Sequence, residues 1–148
     1  MNTTIDYNDL FYTASLIEFI GRKTTNTRRD IVAAIGIGGI THLLQTASVN
    51  HCLSMEQVSA EVIEQYGITN GAFDNVGTCR SRVPAYKAIG AVYARLVQNV
   101  APSIDAYPQT FYEVFTSEFS DKISDFNSAW FYTPSNQLAY YYQESRKQ

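Results

Sequence analysis

The sequence predicts an all-α fold, a single-domain bundle of about six or seven helices over residues 1–148. Two observations carry this expectation. Apolar residues recur at i, i+3, i+4 and i+7 through most of the chain. Helix start and stop signals then divide that pattern into separate segments. The length is that of one domain, sufficient to bury a core without disulfides.

Asn8 or Asp6 caps a first helix whose inward positions are Leu10, Phe11, Ala14, Ile17 and Ile20, with fraying expected from Gly21 to Thr25. Thr27-Arg28-Arg29-Asp30 has the form of a capping box and opens a short second helix. Gly36 is placed to end that helix. Gly38 and Gly39 open a third, with Ile40, Leu43, Leu44 and Ala47 on one face. Ser54-Met55-Glu56-Gln57 is a second capping box, and Gly67 sits where a C-terminal glycine belongs. Ile68 to Val83, with Asn70-Gly71 and Gly77, reads as a long irregular loop, and loops of that length are often functional. Pro84 suits the first turn of a helix bearing Ile89, Tyr93, Leu96 and Val97. Phe111, Phe115, Phe119 and Ile123 form the ladder of one long aromatic helix, and Thr133-Pro134 starts a last short one. Leu43, Leu44, Ile89, Leu96, Phe111 and Phe115 are the expected core.

Composition narrows the function classes. The formal net charge of −3 argues against a nucleic-acid affinity driven by bulk electrostatics. Charge is nevertheless segregated. Arg22, Lys23, Arg28 and Arg29 cluster within eight residues, and 25 residues from Ile31 to Met55 then carry no Asp, Glu, Lys or Arg. A stretch so long and uncharged is expected inside the core or against a partner. Asn75 to Ile104 holds Arg80, Arg82, Lys87 and Arg95 and no acid. The opening residues carry Asp6 and Asp9 rather than a basic n-region, and the longest near-apolar run, Ile31 to Ile40, is too short to span a bilayer. With two cysteines, a reduced cytoplasmic setting is the expectation.

Candidate chemistry is thin. No Gly-x-Ser-x-Gly, metal-ligand spacing or phosphate loop is present, so no catalytic residue, metal or cofactor is expected. His51, Cys52 and Cys79 read as a buried, hydrogen-bonded histidine and buried thiols. Ala34, Gly38 and Leu44 have helix-turn-helix spacing, but Ile40 to Val49 contains no Arg or Lys to anchor a recognition helix.

Residues 11–66 carry Leu16-Ile17-Glu18-Phe19-Ile20, Thr27-Arg28-Arg29-Asp30-Ile31-Val32, Gly39-Ile40, His51 and Val62-Ile63. In these motifs the segment resembles a small uncharacterised bacterial helical domain family. Genes of that family lie beside ADP-ribosyltransferase-like reading frames. The resemblance implies an antitoxin-like or defence-operon partner role and supplies no catalytic residue.

Two functional expectations follow. The first is a non-enzymatic protein-interaction module that meets a protein partner or a second copy of itself through Tyr140, Tyr141, Tyr142 and His42, tyrosine giving large contact area at low entropic cost. The alternative is a nucleic-acid or nucleotide-binding protein using Arg22, Lys23, Arg28 and Arg29 together with Arg80, Arg82 and Lys87. Asp74 and Asn75, beside the second basic loop, are the polar pair where a binding site is sought first.

Overall fold

A computed structural model describes residues 4–147. Among these the chain is all-helical and forms one compact unit of eight α-helices: α1 (Tyr7–Thr24), α2 (Arg28–Gln45), α3 (Ala47–Asn50), α4 (Met55–Gln65), α5 (Tyr86–Val100), α6 (Tyr107–Thr116), α7 (Glu118–Ser124) and α8 (Ser135–Ser145). Single 3-10 turns at Ile104–Ala106 and Trp130–Tyr132 precede α6 and α8. No described helix is long and apolar enough to cross a membrane.

Asp6 caps α1 reciprocally with Asp9: each backbone N–H donates to the other's carboxylate, at 3.0 and 3.1 Å. The helix does not fray at Gly21. It runs to Thr24 and closes on Thr25, whose left-handed backbone (φ 50°, ψ 48°) turns the chain into α2. The Thr27 hydroxyl then accepts from the Asp30 N–H at 3.1 Å. In α2 the backbone leaves helical geometry at Gly36 (φ 77°, ψ 166°), a conformation open to glycine, so the expected second and third helices meet at a kink. Ser54 caps α4, its hydroxyl accepting from the Gln57 N–H at 3.1 Å, without the reciprocal bond that the expected capping box would add.

The helix count exceeds six or seven chiefly because the single long aromatic helix is two. Ser117 leaves the helical region (φ −83°, ψ 163°), donates to the Val114 carbonyl at 2.7 Å and accepts from the Phe119 N–H at 3.2 Å. A serine offering the backbone these alternatives ends one helix and starts the next. Phe111, Phe115, Phe119 and Ile123 stay buried on both sides of the break.

The principal packing is α1 on α5 and α2 on α6, with α8 laid on α5. The α1–α5 approach is close because Gly90 has no side chain: a Cβ there would lie 2.9 Å from the Ser15 backbone nitrogen. Tyr93 stacks on Phe115 with ring centroids 3.9 Å apart, and Phe111 packs against Phe115 at 4.7 Å. All six residues expected to form the core are buried. The uncharged stretch divides: Ile31, Val32, Ile35, Ile40, Leu43, Leu44 and Ala47 face the core, whereas Ile37, Val49 and Leu53 are exposed. His51 and Cys52 are exposed and Cys79 is half-buried, contrary to the buried histidine and thiols expected. They sit in or beside short turns, where no apolar face carries them inward.

Candidate functional site

The basic residues between Arg22 and Arg29 are not a solvated loop. Arg28 is fully buried, because α1 presents Glu18 on its inner face ten residues earlier. Arg28 Nε donates to Glu18 Oε1 and Nη2 to Glu18 Oε2, both at 2.8 Å. This bidentate fork holds two charges at zero exposure. Arg22, one turn beyond Glu18 on α1, donates to the same Oε2 at 2.7 Å and to the Pro84 carbonyl at 2.8 Å. Arg28 also donates to the Asn26 carbonyl and to Asn75 Oδ1, and Asn75 Nδ2 donates to the Ser124 carbonyl at 2.9 Å. One carboxylate and two guanidiniums thereby join α1, α2, α7 and the 68–83 loop. Such a group is stable only when each charge is paired and its remaining polar atoms are satisfied.

The loop itself is strapped to the α1–α2 turn. Gly71 N–H donates to the Thr24 carbonyl and Phe73 N–H to the Thr25 carbonyl, both at 2.8 Å. Asn26 Nδ2 reaches the Thr69 carbonyl at 2.8 Å. Phe73 and Phe126 cover the network with their rings, 5.9 Å from Arg28 Cζ and 5.2 Å from Arg22 Cζ. The irregular segment expected to carry function thus closes the core over a buried charge group.

The bases of the first segment are engaged by acids of the protein, not gathered with those of the second. Lys23 pairs with Glu56 at 3.0 Å and Arg29 pairs with Asp121, both at the surface. Arg80 and Arg82 are exposed and, among the described residues, have no ion-pair partner. Lys87 is likewise exposed and unpaired there. Asp74 is exposed and organises its own turn, accepting from the Gly77 N–H at 2.8 Å. Its neighbour Asn75 is buried in the network, so the pair does not form one polar site.

The tyrosines separate in the same way. Tyr142 is buried, and its ring meets Phe119 edge-on at 5.6 Å; burial pushes its phenol above the usual tyrosine range. Helical spacing sends the preceding two tyrosines outward: Tyr140 is 59% exposed and Tyr141 44%. His42 is exposed at the end of α2, which packs on α6, whereas Tyr140 and Tyr141 ride on α8 over α5. The four interface candidates therefore reduce to Tyr140 and Tyr141 on one face, with His42 on a different helix.

Trp130 extends that face. Trp130 packs edge-on against Tyr141 (5.8 Å) and Phe119 (5.4 Å), with Lys122 Nζ 5.1 Å from its ring. Phe131 packs on Tyr132, which is 66% exposed. Beside Phe131 and Tyr132 runs a shallow cleft of about 480 Å³ bounded by Arg82, Val83 and Pro84. The signal available was three consecutive aromatics, Trp130-Phe131-Tyr132, ahead of Thr133-Pro134. A short turn must leave part of such a run in solvent.

Fold and site define an all-α protein with a buried ion-pair core and an exposed aromatic ridge. No family model, curated protein or solved structure matches the chain, so the resemblance of residues 11–66 to a bacterial helical domain family is not shown by comparison. Among the described residues no cluster of His, Cys, Asp and Glu is arranged to hold a metal ion.

Proposed function

We propose that this chain is a protein-interaction module whose docking face is the ridge of Trp130, Phe131, Tyr132, Tyr140 and Tyr141. The observation that carries this reading is the exposure of Tyr132, Tyr140 and Tyr141, the last of them edge-on to a half-buried tryptophan. Exposed aromatics with polar tips are the residue types enriched at contact surfaces. Charge complementarity selects the occupant. Arg80 and Arg82 lie unpaired among the described residues, and Arg82 borders the cleft beside Phe131 and Tyr132. An extended partner segment with acidic residues beside apolar ones would place carboxylates on these arginines and side chains against the rings. A role beside a toxin or in a defence operon is compatible with such a module.

The nucleic-acid alternative draws less support. Arg22, Lys23, Arg28 and Arg29 are each engaged by a protein carboxylate, which leaves Arg80, Arg82 and Lys87 alone to meet phosphate.

Selection of random displayed peptides against the folded chain tests the proposal. Enriched sequences should combine Asp or Glu with apolar residues and should weaken by about tenfold or more against R82E and Y132S. Selection of basic or nucleotide-like ligands, acidic peptides indifferent to both variants, or a dimer abolished by Y132S would overturn it.

A further inference from the structure

Asn70 and Gly71, the single Asn-Gly pair of the chain, lie in the strap that ties the 68–83 loop to the α1–α2 turn. Both are exposed, yet the backbone there is held. The Gly71 N–H donates to the Thr24 carbonyl at 2.8 Å, and the Gly71 carbonyl lies 2.7 Å from the Thr25 hydroxyl. Before the pair, the Thr69 carbonyl accepts from Asn26 Nδ2; after it, the Phe73 N–H donates to the Thr25 carbonyl, each at 2.8 Å. Packing requires the glycine, because a Cβ at position 71 would lie 2.8 Å from the Thr25 carbonyl oxygen.

That requirement leaves a chemically labile pair in the strap. An asparagine carboxamide followed by glycine is open to attack by the next backbone nitrogen, since glycine puts no side chain in its way. The Gly71 nitrogen gives its proton to solvent base and bonds to Asn70 Cγ; the Cγ–Nδ2 bond breaks and Nδ2 leaves as ammonia. Water then opens the resulting succinimide at either carbonyl, giving aspartate or isoaspartate, whose main chain runs through Cβ and Cγ. No oxidant or reductant takes part. In the folded chain the first step is blocked, because the proton that must leave is held by the Thr24 carbonyl and the groups on either side are anchored.

We infer that Asn70 is a latent deamidation site closed by the strap, and that its conversion to isoaspartate when the loop opens makes the opening irreversible. Isoaspartate inserts an additional main-chain carbon between the Thr69 carbonyl, held by Asn26, and the Gly71 N–H, held by Thr24. The strap bonds then cannot re-form in register. The consequence reaches the core, since the same loop places Asn75 Oδ1 3.1 Å from Arg28 Nη2 and the Phe73 ring over the Arg28 guanidinium. A reaction at the surface thereby loosens the cover of the buried Glu18–Arg28 pair.

Peptide mapping by mass spectrometry, after incubation of the intact chain in mildly alkaline buffer with and without urea, tests the inference. In urea Asn70 should deamidate faster than the other asparagines. In the folded chain it should react about tenfold or more slowly than in urea, because reaction waits for local opening. N26A removes the bond to Thr69 but keeps the backbone carbonyl that Arg28 uses, and should speed the folded-state reaction about fivefold, the worth of one hydrogen bond, with no change in urea. N75A, which frees the loop from its inner end, should speed it at least as much. The purified isoaspartate form should lose hydrogen-exchange protection at Gly71 and Phe73, whereas N70D, with the same charge on an ordinary main chain, should keep it. Equal rates in the folded and urea-unfolded chain, or folded-state rates unmoved by both N26A and N75A, would overturn the inference. So would full protection in the isoaspartate form, or a loss in N70D as large as in that form.

Discussion

Arg28 and Glu18 face each other across the α1–α2 junction with both side chains at zero exposure, joined by two parallel hydrogen bonds of 2.8 Å. Buried charges are tolerated in pairs and penalised singly. R28M should therefore destabilise the protein by about 3–5 kcal/mol, because Glu18 Oε1, the Asn26 carbonyl and Asn75 Oδ1 lose their donor and Arg22 alone is left to offset the buried carboxylate. Urea unfolding measures this. A cost under about 1 kcal/mol, the range of a surface pair, would show that the pair is not held dry.

Gly21 owes its identity to the same arginine. A Cβ at position 21 would lie 2.4 Å from Arg28 Cδ and 2.6 Å from its Nε, and a fully buried stem has nowhere to retreat. G21A should cost about 1–3 kcal/mol in the wild-type background. In R28M, where a flexible apolar side chain replaces the fork, the same change should cost distinctly less. Equal costs in the two backgrounds would mean that Gly21 is required for another reason.

Asn75 supplies the bond from the loop to the core, accepting from Arg28 and donating to the Ser124 carbonyl. N75A leaves a buried donor and a buried acceptor unmatched, at about 1–3 kcal/mol. Amide hydrogen exchange should locate the loss at Gly71 and Phe73, whose N–H groups strap the loop to Thr24 and Thr25. Unchanged protection at those two amides would separate the strap from the network.

Tyr93 gives the fold an alkaline limit. Burial drives its phenol well above the ordinary 10.0, while its hydroxyl lies 3.0 Å from Ser120 Oγ. A phenol whose folded pKa is raised favours the folded state while it keeps its proton. Its contribution is fully present below the unfolded value of 10.0 and falls as pH rises beyond that toward the folded value. Stability measured from pH 9 upward should decline, and Y93F should decline less steeply. Parallel profiles for the two proteins would remove Tyr93 as the cause.

The helices were legible in the sequence to the extent that their caps were local. Thr27 and Ser54 are readable as caps and Asp6 as one of two candidates beside Asn8, and each of the three accepts from a first-turn N–H. Ser117 is not so readable, because the apolar ladder on both sides of it keeps its phase and hides the interruption. The candidate site was less legible for a different reason. Arg28 and Glu18 are ten residues apart in sequence, and Arg28 and Asn75 forty-seven, so their pairing depends on how α1, α2 and the loop meet. A cluster of bases looks alike in sequence whether it faces water or a buried carboxylate. Likewise Tyr140, Tyr141 and Tyr142 differ only in helical phase, and packing against Phe119 selects which one is buried.

The ridge is expected to be dispensable for folding. Y132S and Y140S remove rings that are 66% and 59% exposed, and each should change stability by no more than about 0.5 kcal/mol. A larger loss would assign these tyrosines to the fold and leave the docking face without its exposed anchors.

Trp130, the single tryptophan of the chain, lies against Tyr141 and is half-buried within the proposed docking face. Its emission on titration with an acidic, apolar peptide selected against the folded chain tests the docking claim most directly. Binding at the ridge should alter that emission saturably, in step with calorimetry, and both signals should weaken together in R82E. Calorimetric binding that leaves the Trp130 emission unchanged, or that persists undiminished in R82E, would place the partner elsewhere and contradict the account.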